Sequence, residues 1–301
     1  MVKRTITSVF ILAFVVLFVV LKQFSDLIFD AFLLLMMYGA LIETVNVYKK
    51  AEKKIDIMIF IIPIVICTIF NLAENTLVAF GYEVLMTVLF ILYLLTSEII
   101  SYGFNRKHQS ETDEIDIEAQ NKTLFDKTRY TMQVFAYPLL VLSMLFALNH
   151  LGFELSYMGI ILSFAVAMMT DTFAYLFGKL FGKRKFIPEV SPNKTIAGMI
   201  GGFFGGIVAS IVALLVFSKL TIFNAPILAN KSMFITIFSV IGVLGAWADQ
   251  LGDLIASALK RKVGVKDYSN IFPGHGGVMD RVDGLMFTAS LICILFVLFL
   301  V

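Results

Sequence analysis

The residue types with the clearest chemistry lie close together near the C-terminal end of a very apolar chain. Residues 271–284 read IFPGHGGVMDRVDG, and together with the residues just before them they mix basic side chains, carboxylates and glycines. The basic residues are Lys260, Arg261, Lys262, Lys266 and Arg281, and the acidic residues are Asp267, Asp280 and Asp283. Basic side chains bind phosphates, whereas carboxylates bind the divalent metal that bridges phosphates. The stretch therefore predicts chemistry on metal-bridged phosphates.

Three further carboxylates lie within apolar segments. Asp249 and Asp253 are four residues apart, so a helix would place them on one face, one turn apart. They repel each other unless a cation or a base neutralises them, and oxygen ligands suit Mg²⁺. An acid pair in a membrane also suits a proton or sodium pathway, so the pair alone fits both an enzyme and a transporter. Asp171 has no basic residue within one helical turn and needs a partner from another segment.

A possible anion site precedes another apolar segment. Residues 191–198 read SPNKTIAG, which is ordinary turn and capping chemistry at a helix start. With Lys194 in the first turn, however, the free N–H groups of that helix would form an anion site. The basic stretch GKLFGKRK just upstream favours phosphate binding, with Ser191, Asn193 and Lys194 as candidates. The glycines that follow at intervals of four, in GMIGGFFGG, predict a helix-packing face.

Long apolar segments must position these residues. The chain of 301 residues is 59% hydrophobic and 15% charged, whereas soluble domains carry about 25% charged residues. We therefore predict an all-α, polytopic integral membrane protein, on the rule of about 20 apolar residues per span. The nine predicted spans are 5–21, 25–47, 56–71, 78–103, 130–149, 154–177, 196–218, 232–257 and 284–301.

The distribution of positive charge orients these spans. All of the 24 lysines and arginines except Lys22, Lys219 and Lys231 fall on the side of the N-terminus. Because positive loops stay in the cytoplasm, we expect the N-terminus and the candidate site at the cytoplasmic face of the cell membrane, and the C-terminus on the opposite side. We expect the first apolar segment to be a retained helix. Glu43 and Glu98 would then reach the cytoplasmic interface or pair with basic neighbours.

The chain divides into two predicted regions. Residues 1–129 would hold the first four helices and a solvated connector, 105–127, and residues 130–301 would form the catalytic membrane region. Cys67 and Cys293 both lie in apolar runs and are expected to be thiols, not a disulfide. No nucleic-acid-binding signature occurs in the sequence.

The C-terminal half resembles a known family. The pattern Ser257-x-Leu259-Lys260-Arg261, then Lys266-Asp267, then Phe272-Pro273-x-His275-Gly276-Gly277-x-x-Asp280-Arg281-x-Asp283 is similar to the signature of the phosphatidate cytidylyltransferases, also called CDP-diacylglycerol synthases. The stretches GDLIASALKR, SPNKTIAG and DTFAYLFGKLFGK also match the pattern, so the resemblance covers roughly residues 165–284. The N-terminal half resembles the family only in its hydrophobic helices.

The resemblance implies an activity. Such an enzyme transfers CMP from CTP to phosphatidic acid, gives CDP-diacylglycerol and pyrophosphate, and requires Mg²⁺, with a monovalent cation such as K⁺ at a second position. The family's functional acids correspond to Asp249, Asp253 and Asp280, with Asp253 and Asp280 favoured as metal ligands. The resemblance also implies a homodimer in the lipid bilayer.

The residues themselves suggest how this reaction would run. A phosphate monoester is already anionic near neutral pH, so catalysis needs positioning and charge neutralisation more than a strong base. The candidates to bind and orient phosphates are Lys194, Lys260, Arg261, Lys266, Arg281 and His275. Gly276 and Gly277 would let the backbone approach a phosphate. Asp171, Asp267 and Asp283 are candidates to support the metal ligands.

Two alternatives remain at this point. One is another membrane lipid nucleotidyl- or phosphotransferase, such as a polyprenol or phytol kinase-like protein. The other is an ion-coupled transporter that uses the buried acids. A transporter favours acids near the middle of the membrane and broken helices in paired repeats, whereas the acids here cluster towards one face.

Overall fold

The computed structural model describes residues 2–51, 65, 144–151, 153–219, 231–272, 274 and 276–299, and these are mostly helical. Its elements are α1 (Val2–Leu21), α2 (Asp26–Lys50), α3 (Phe153–Phe181), β1 (Lys185–Ile187), β2 (Ser191–Thr195), α4 (Ile196–Phe217), α5 (Lys231–Lys262) and α6 (Met279–Phe299). In the described part of the chain, the five helices from α2 to α6 contain segments long and apolar enough to cross a membrane. The chain is thus a helical membrane protein. Apart from residue 65, the predicted spans 56–71 and 78–103 lie outside the described residues. Glu98, the connector 105–127 and most of span 130–149 also lie outside them, so nine spans are not confirmed.

Two predicted boundaries near the candidate site are wrong. Helix α5 continues to Lys262, past the predicted end at 257, and α6 begins at Met279, five residues before the predicted start. Hydropathy places helix ends where charge begins, but charged residues can continue a helix when its end groups are satisfied. The consequence is that Asp280 and Asp283 lie in the first turns of α6 and not in a loop.

A short hairpin departs from the predicted all-α architecture. Strands β1 and β2 pair antiparallel, with Lys185 opposite Thr195 and Ile187 opposite Ser191. Thr195 then caps α4, because its hydroxyl accepts a hydrogen bond from the Gly198 N–H at 3.1 Å. The expectation that Lys194 lies in the first helical turn is therefore wrong. Lys194 is the residue before the cap, on strand β2, and its amine contacts Asp253 of α5.

Glycines allow α4 to pack closely between α3 and α5. A methyl group at Gly198 would meet the Ala174 carbonyl oxygen of α3 at 2.8 Å, and one at Gly202 would meet the Gln250 side chain of α5 at 2.7 Å. A methyl group at Gly206 would collide with the Gly242 carbonyl oxygen. The predicted helix-packing face is confirmed, since three glycines spaced by four residues each contact a neighbouring helix.

We expect Gly206→Val to destabilise the protein by about 1–3 kcal/mol, because the added carbons cannot fit without separating α4 from α5. Thermal unfolding in detergent would measure the change. Val212→Leu is the matched control, since Val212 lies on the exposed face of the same helix. Equal melting temperatures for the Gly206 variant and the wild type would contradict this packing.

The described contacts define two ends of the helix bundle. At one end, Lys22 follows α1 and is buried, where its amine pairs with Asp26 and donates to the backbone oxygen of Asn149 at 3.2 Å. The amide of Asn149 in turn donates to Asp30 at 2.8 Å. The other end holds the C-terminal ends of α2, α3 and α5 and the N-terminal ends of α4 and α6. The candidate residues gather at this second end.

Candidate active site

A cavity of about 700 Å³ opens between α1, α3, α5 and α6. One wall is apolar and comes from α1 and α3, with Val15, Val16, Val19, Val20, Ile161, Phe164, Ala167 and Met168. The opposite part is charged, with Asp171, Asp249, Asp253, Lys260, Asp267, Asp280, Arg281 and Asp283. The cavity is therefore amphipathic, which suits a ligand with both a charged group and a hydrocarbon part.

Four of these carboxylates come from three helices and face one another. Asp249 and Asp253 lie one turn apart on α5, as their spacing predicted, and both interact electrostatically with Asp171 of α3. Asp283 of α6 interacts with the same group. The prediction that Asp171 meets other segments is confirmed, since Lys194 and Arg281 are its nearby positive charges. A concentration of negative charge like this one needs cations.

One of the compensating cations is Lys194. Its amine lies 2.6 Å from a carboxylate oxygen of Asp253 and 3.4 Å from the backbone oxygen of Gln250. The two side chains are about one-third exposed, so water screens their ion pair. Either side chain can therefore exchange its partner for another ion at little cost in free energy. A phosphate or a metal ion could therefore compete for either partner.

Asp280 is held much more firmly. One carboxylate oxygen lies 2.7 Å from the Lys260 amine, and the other accepts the N–H groups of Tyr268 at 2.8 Å and Gly277 at 2.9 Å. The Lys260 amine also lies 3.9 Å from Asp283. The sequence suggested Lys260 as a phosphate-binding residue and Asp280 as a metal ligand. In the structure the two bind each other, so both roles stay predictions.

Tyr268 packs against this ion pair. The Lys260 amine lies 5.4 Å from the centre of the Tyr268 ring, which is a cation–π contact. Burial, together with the charges of Asp283 and Asp280 and the nearby Tyr48, raises the pKa of the Tyr268 hydroxyl well above 10. The hydroxyl therefore stays protonated and can only act as a neutral group.

A second cavity of about 620 Å³ lies beside the first, and Asp171 lines both. It is bordered by Lys179, Lys185, Asn193 and Lys194, and by the cap Thr195 and the first-turn residue Gly198 of α4. Basic side chains and a helix N-terminus favour anions. The sequence predicted that this basic stretch binds phosphate. It did not predict the aromatic side chains that also line the cavity, which are Tyr175, Phe186, Phe203 and Trp247.

Some predicted residues do not line either cavity. Ser191 lies on β2, Lys266 is exposed, and the Arg261 side chain donates to the Val265 carbonyl oxygen at 3.2 Å. Pro273 and His275 lie outside the described residues. The roles predicted for these residues remain untested.

The two glycines of the signature approach carboxylates of the protein itself. Gly276 has a positive φ of 79°, and a methyl group there would lie 2.7 Å from an Asp280 oxygen. At Gly277 a methyl group would overlap the carboxylate of Glu43. A side chain at either position would therefore displace an acid that organises the start of α6. Their predicted approach to a phosphate stays a prediction.

Glu43 corrects an expectation. It was expected to reach the membrane interface or to pair with a basic neighbour, yet it is 3% exposed and bound to α6 and the loop before it. Its carboxylate accepts hydrogen bonds from the Ser269 hydroxyl at 2.6 Å and from the N–H groups of Val278 and Met279, each at 2.9 Å. No pattern in the sequence indicates this contact, because its partners are more than 220 residues away along the chain.

The carboxylate oxygens that line the first cavity suit a hard divalent cation. As the described side chains stand, no three of His, Cys, Asp and Glu converge closely enough to hold a metal ion by themselves. Mg²⁺ is nevertheless usually bound by one or two carboxylates together with waters and substrate phosphates, so a complete protein cage is not needed. Asp249 and Asp253 offer carboxylate oxygens to the cavity, and the residues therefore fit Mg²⁺.

Fold and site together define a polytopic helical membrane protein with an acidic and basic centre at one end of its bundle. The chain belongs to the cytidylyltransferase family, because the profile of that family matches residues 2–299. This agrees with the resemblance noted in the sequence.

Curated relatives support this assignment. A phosphatidate cytidylyltransferase of Staphylococcus saprophyticus is 37% identical over 138 residues, and those of Staphylococcus haemolyticus and Staphylococcus aureus strain COL are 38% and 39% identical over the same length. Each match covers 46% of this chain and 48% of the relative. The chain therefore matches about half the length of these relatives.

Proposed function

We propose that the protein is a CTP:phosphatidate cytidylyltransferase of phospholipid biosynthesis, which transfers CMP from CTP to phosphatidic acid. The observation that carries this proposal is the pair of adjoining cavities, which share Asp171 and are joined by the ion pair between Lys194 and Asp253. One cavity is amphipathic and the other is bordered by lysines. Two substrates can thus approach one set of charged groups from two sides.

The cavity bordered by lysines is proposed for CTP. Lys179, Lys185 and Lys194 can balance triphosphate charge, and the positive end of the α4 helix dipole favours the same charge. The aromatic side chains that line the same cavity offer flat surfaces for a base.

The amphipathic cavity is proposed for phosphatidic acid. The valines of α1 and the apolar residues of α3 suit acyl chains, while Lys260 and Arg281 at the charged end suit the lipid phosphate. Because the apolar wall borders the charged groups directly, the lipid can keep its chains in hydrocarbon while its phosphate reaches the site.

The chemistry needs positioning more than proton transfer. A phosphate oxygen of phosphatidic acid forms a bond to the α-phosphorus of CTP, and the bond from that phosphorus to the bridging oxygen breaks. The electron pair of that bond leaves with pyrophosphate. Both reactants are anionic, so the main obstacle is their repulsion, and Lys194, Lys260 and Arg281 are the residues proposed to reduce it.

A bound Mg²⁺ would neutralise phosphate charge in the same region. Asp249, Asp253 and Asp280 are the proposed ligands, with Asp171 and Asp283 beside them. Asp280 would need to exchange its bond with Lys260 to take part. A monovalent cation such as K⁺ remains a proposal from resemblance.

The proposed topology puts this end of the bundle in the cytoplasm, where CTP is available. Lys183 and Arg184 after α3, and Lys260 and Arg261 in the last turn of α5, lie at this end, which supports the assignment by the positive-inside rule. The C-terminus would then lie on the opposite side of the cell membrane. A homodimer remains a prediction from the resemblance.

A turnover assay tests the function. We expect purified protein in detergent to release pyrophosphate when it is given CTP, Mg²⁺ and phosphatidic acid, and to form CDP-diacylglycerol in equal amount. Diacylglycerol and polyprenol serve as acceptor controls, because they lack the phosphate nucleophile. Phosphorylation of these alcohols, or ion uptake into vesicles with no pyrophosphate release, would favour a kinase-like enzyme or a transporter instead.

A further inference from the structure

We infer that Glu43, on the second helix, is a positioning residue for the catalytic end of α6, and this inference rests on the proposed function. The carboxylate of Glu43 binds the N–H groups of Val278 and Met279 and the hydroxyl of Ser269, and it is buried. It does not line either cavity. Its effect on the reaction must therefore pass through the residues that it holds.

Helix α6 begins where Glu43 binds it. Met279 is the first residue of the helix, and the first N–H groups of a helix have no partner inside it. Helix caps normally come from the residue just before the helix, but here a carboxylate from another helix provides the acceptors. The negative charge also lies at the positive end of the helix dipole, which strengthens the contact.

Asp280 also binds the backbone at the start of α6. Its carboxylate binds the N–H of Gly277, while Glu43 binds those of the next two residues. Two acids from different helices thus occupy three successive N–H groups at the start of α6. Because Asp280 is the next residue along, a shift of this start would move Asp280 relative to Lys260. Asp283, one turn further, would move relative to the acids of α3 and α5.

The absence of a side chain at Gly277 serves this contact. Any Cβ at this position would overlap the Glu43 carboxylate. The close approach of the Glu43 carboxylate therefore explains why a glycine stands at position 277. Through this contact, α2 helps to position the residues of the site on α6.

The test compares Glu43→Gln with Asp30→Asn. Glutamine keeps the size of Glu43 but presents an NH2 group where one oxygen accepted an N–H. Asp30 is the matched control because it is also a buried acid of α2 that binds across helices, to Asn149 and His150. It lies 13 residues before Glu43, about 20 Å along the helix, at the other end of the bundle.

We expect Glu43→Gln to raise the Mg²⁺ concentration for half-maximal turnover, or to lower kcat, by about 10- to 100-fold, as removal of groups that orient ligands does. Loss of folded protein alone would not move the Mg²⁺ midpoint. We also expect faster hydrogen exchange in the peptide spanning 276–284, measured without substrate. Asp30→Asn should leave the Mg²⁺ midpoint and this exchange unchanged, and Ser269→Ala should have a smaller effect than Glu43→Gln.

Two results would overturn the inference. Unchanged exchange at 276–284 in Glu43→Gln would show that the contact does not hold the start of α6. Faster exchange with wild-type kcat and Mg²⁺ midpoint would show that it has only a structural role. A wild-type protein without turnover would refute the proposed function separately, because the exchange measurement needs no activity.

Discussion

Replacing Asp253 by asparagine is expected to lower turnover by about 10³-fold or more while the protein still folds. The magnitude is that typical for loss of a group that organises charge in a phosphoryl-transfer site. Stability should change by only about 0–1 kcal/mol, because the Asp253 and Lys194 side chains are 34% and 27% exposed and water screens their ion pair. The effect would therefore be chemical and not a consequence of unfolding.

Pyrophosphate release at saturating CTP and phosphatidic acid measures this effect, together with thermal unfolding of the same sample. Glu189→Gln is a suitable control, since Glu189 is an exposed acid in the turn between β1 and β2 and lines neither cavity. Wild-type turnover in Asp253→Asn would remove Asp253 from the proposed metal ligands.

Asp280→Asn is expected to impair both stability and turnover, unlike Asp253→Asn. The Asp280 and Lys260 side chains are only 4% and 10% exposed, and removal of one partner of a buried pair costs about 3–5 kcal/mol. The asparagine also has one oxygen in place of two, although three donors converge on the carboxylate. We expect a lower melting temperature and a loss of turnover comparable to that of Asp253→Asn.

A double variant separates the two effects. Adding Lys260→Met to Asp280→Asn removes the unpaired charge, so most of the stability should return, because apolar replacements of buried pairs are often neutral. Turnover should stay low if the carboxylate or the amine acts on substrate. If turnover recovers together with stability, Asp280 has a structural role and the metal assignment to it is wrong.

The sequence predicted the local features of the site well. The spacing of Asp249 and Asp253 correctly put both acids on one face of α5, since helix geometry depends only on neighbours in the chain. The glycines of α4 predicted close packing for the same reason. Composition correctly indicated a membrane protein, because apolar length is a property of the segment itself.

The start of α6 could not be predicted in the same way. A rule based on hydropathy starts the membrane helix only after the charges around Asp280. In the structure the helix already begins at Met279, because Glu43 accepts hydrogen bonds from the N–H groups there. The hairpin of β1 and β2 was missed because three and five residues are too few for a clear alternating pattern.

The sequence by itself determined that this is an apolar helical membrane protein of the cytidylyltransferase family, with a set of acids and bases grouped between residues 249 and 283. These properties depend on residue types and short spacings. Only the tertiary structure decided which charges meet: Lys194 with Asp253, Lys260 with Asp280, and Glu43 with the start of α6. The physical reason is that a buried charge must find its partner in space, and that partner can lie anywhere along the chain.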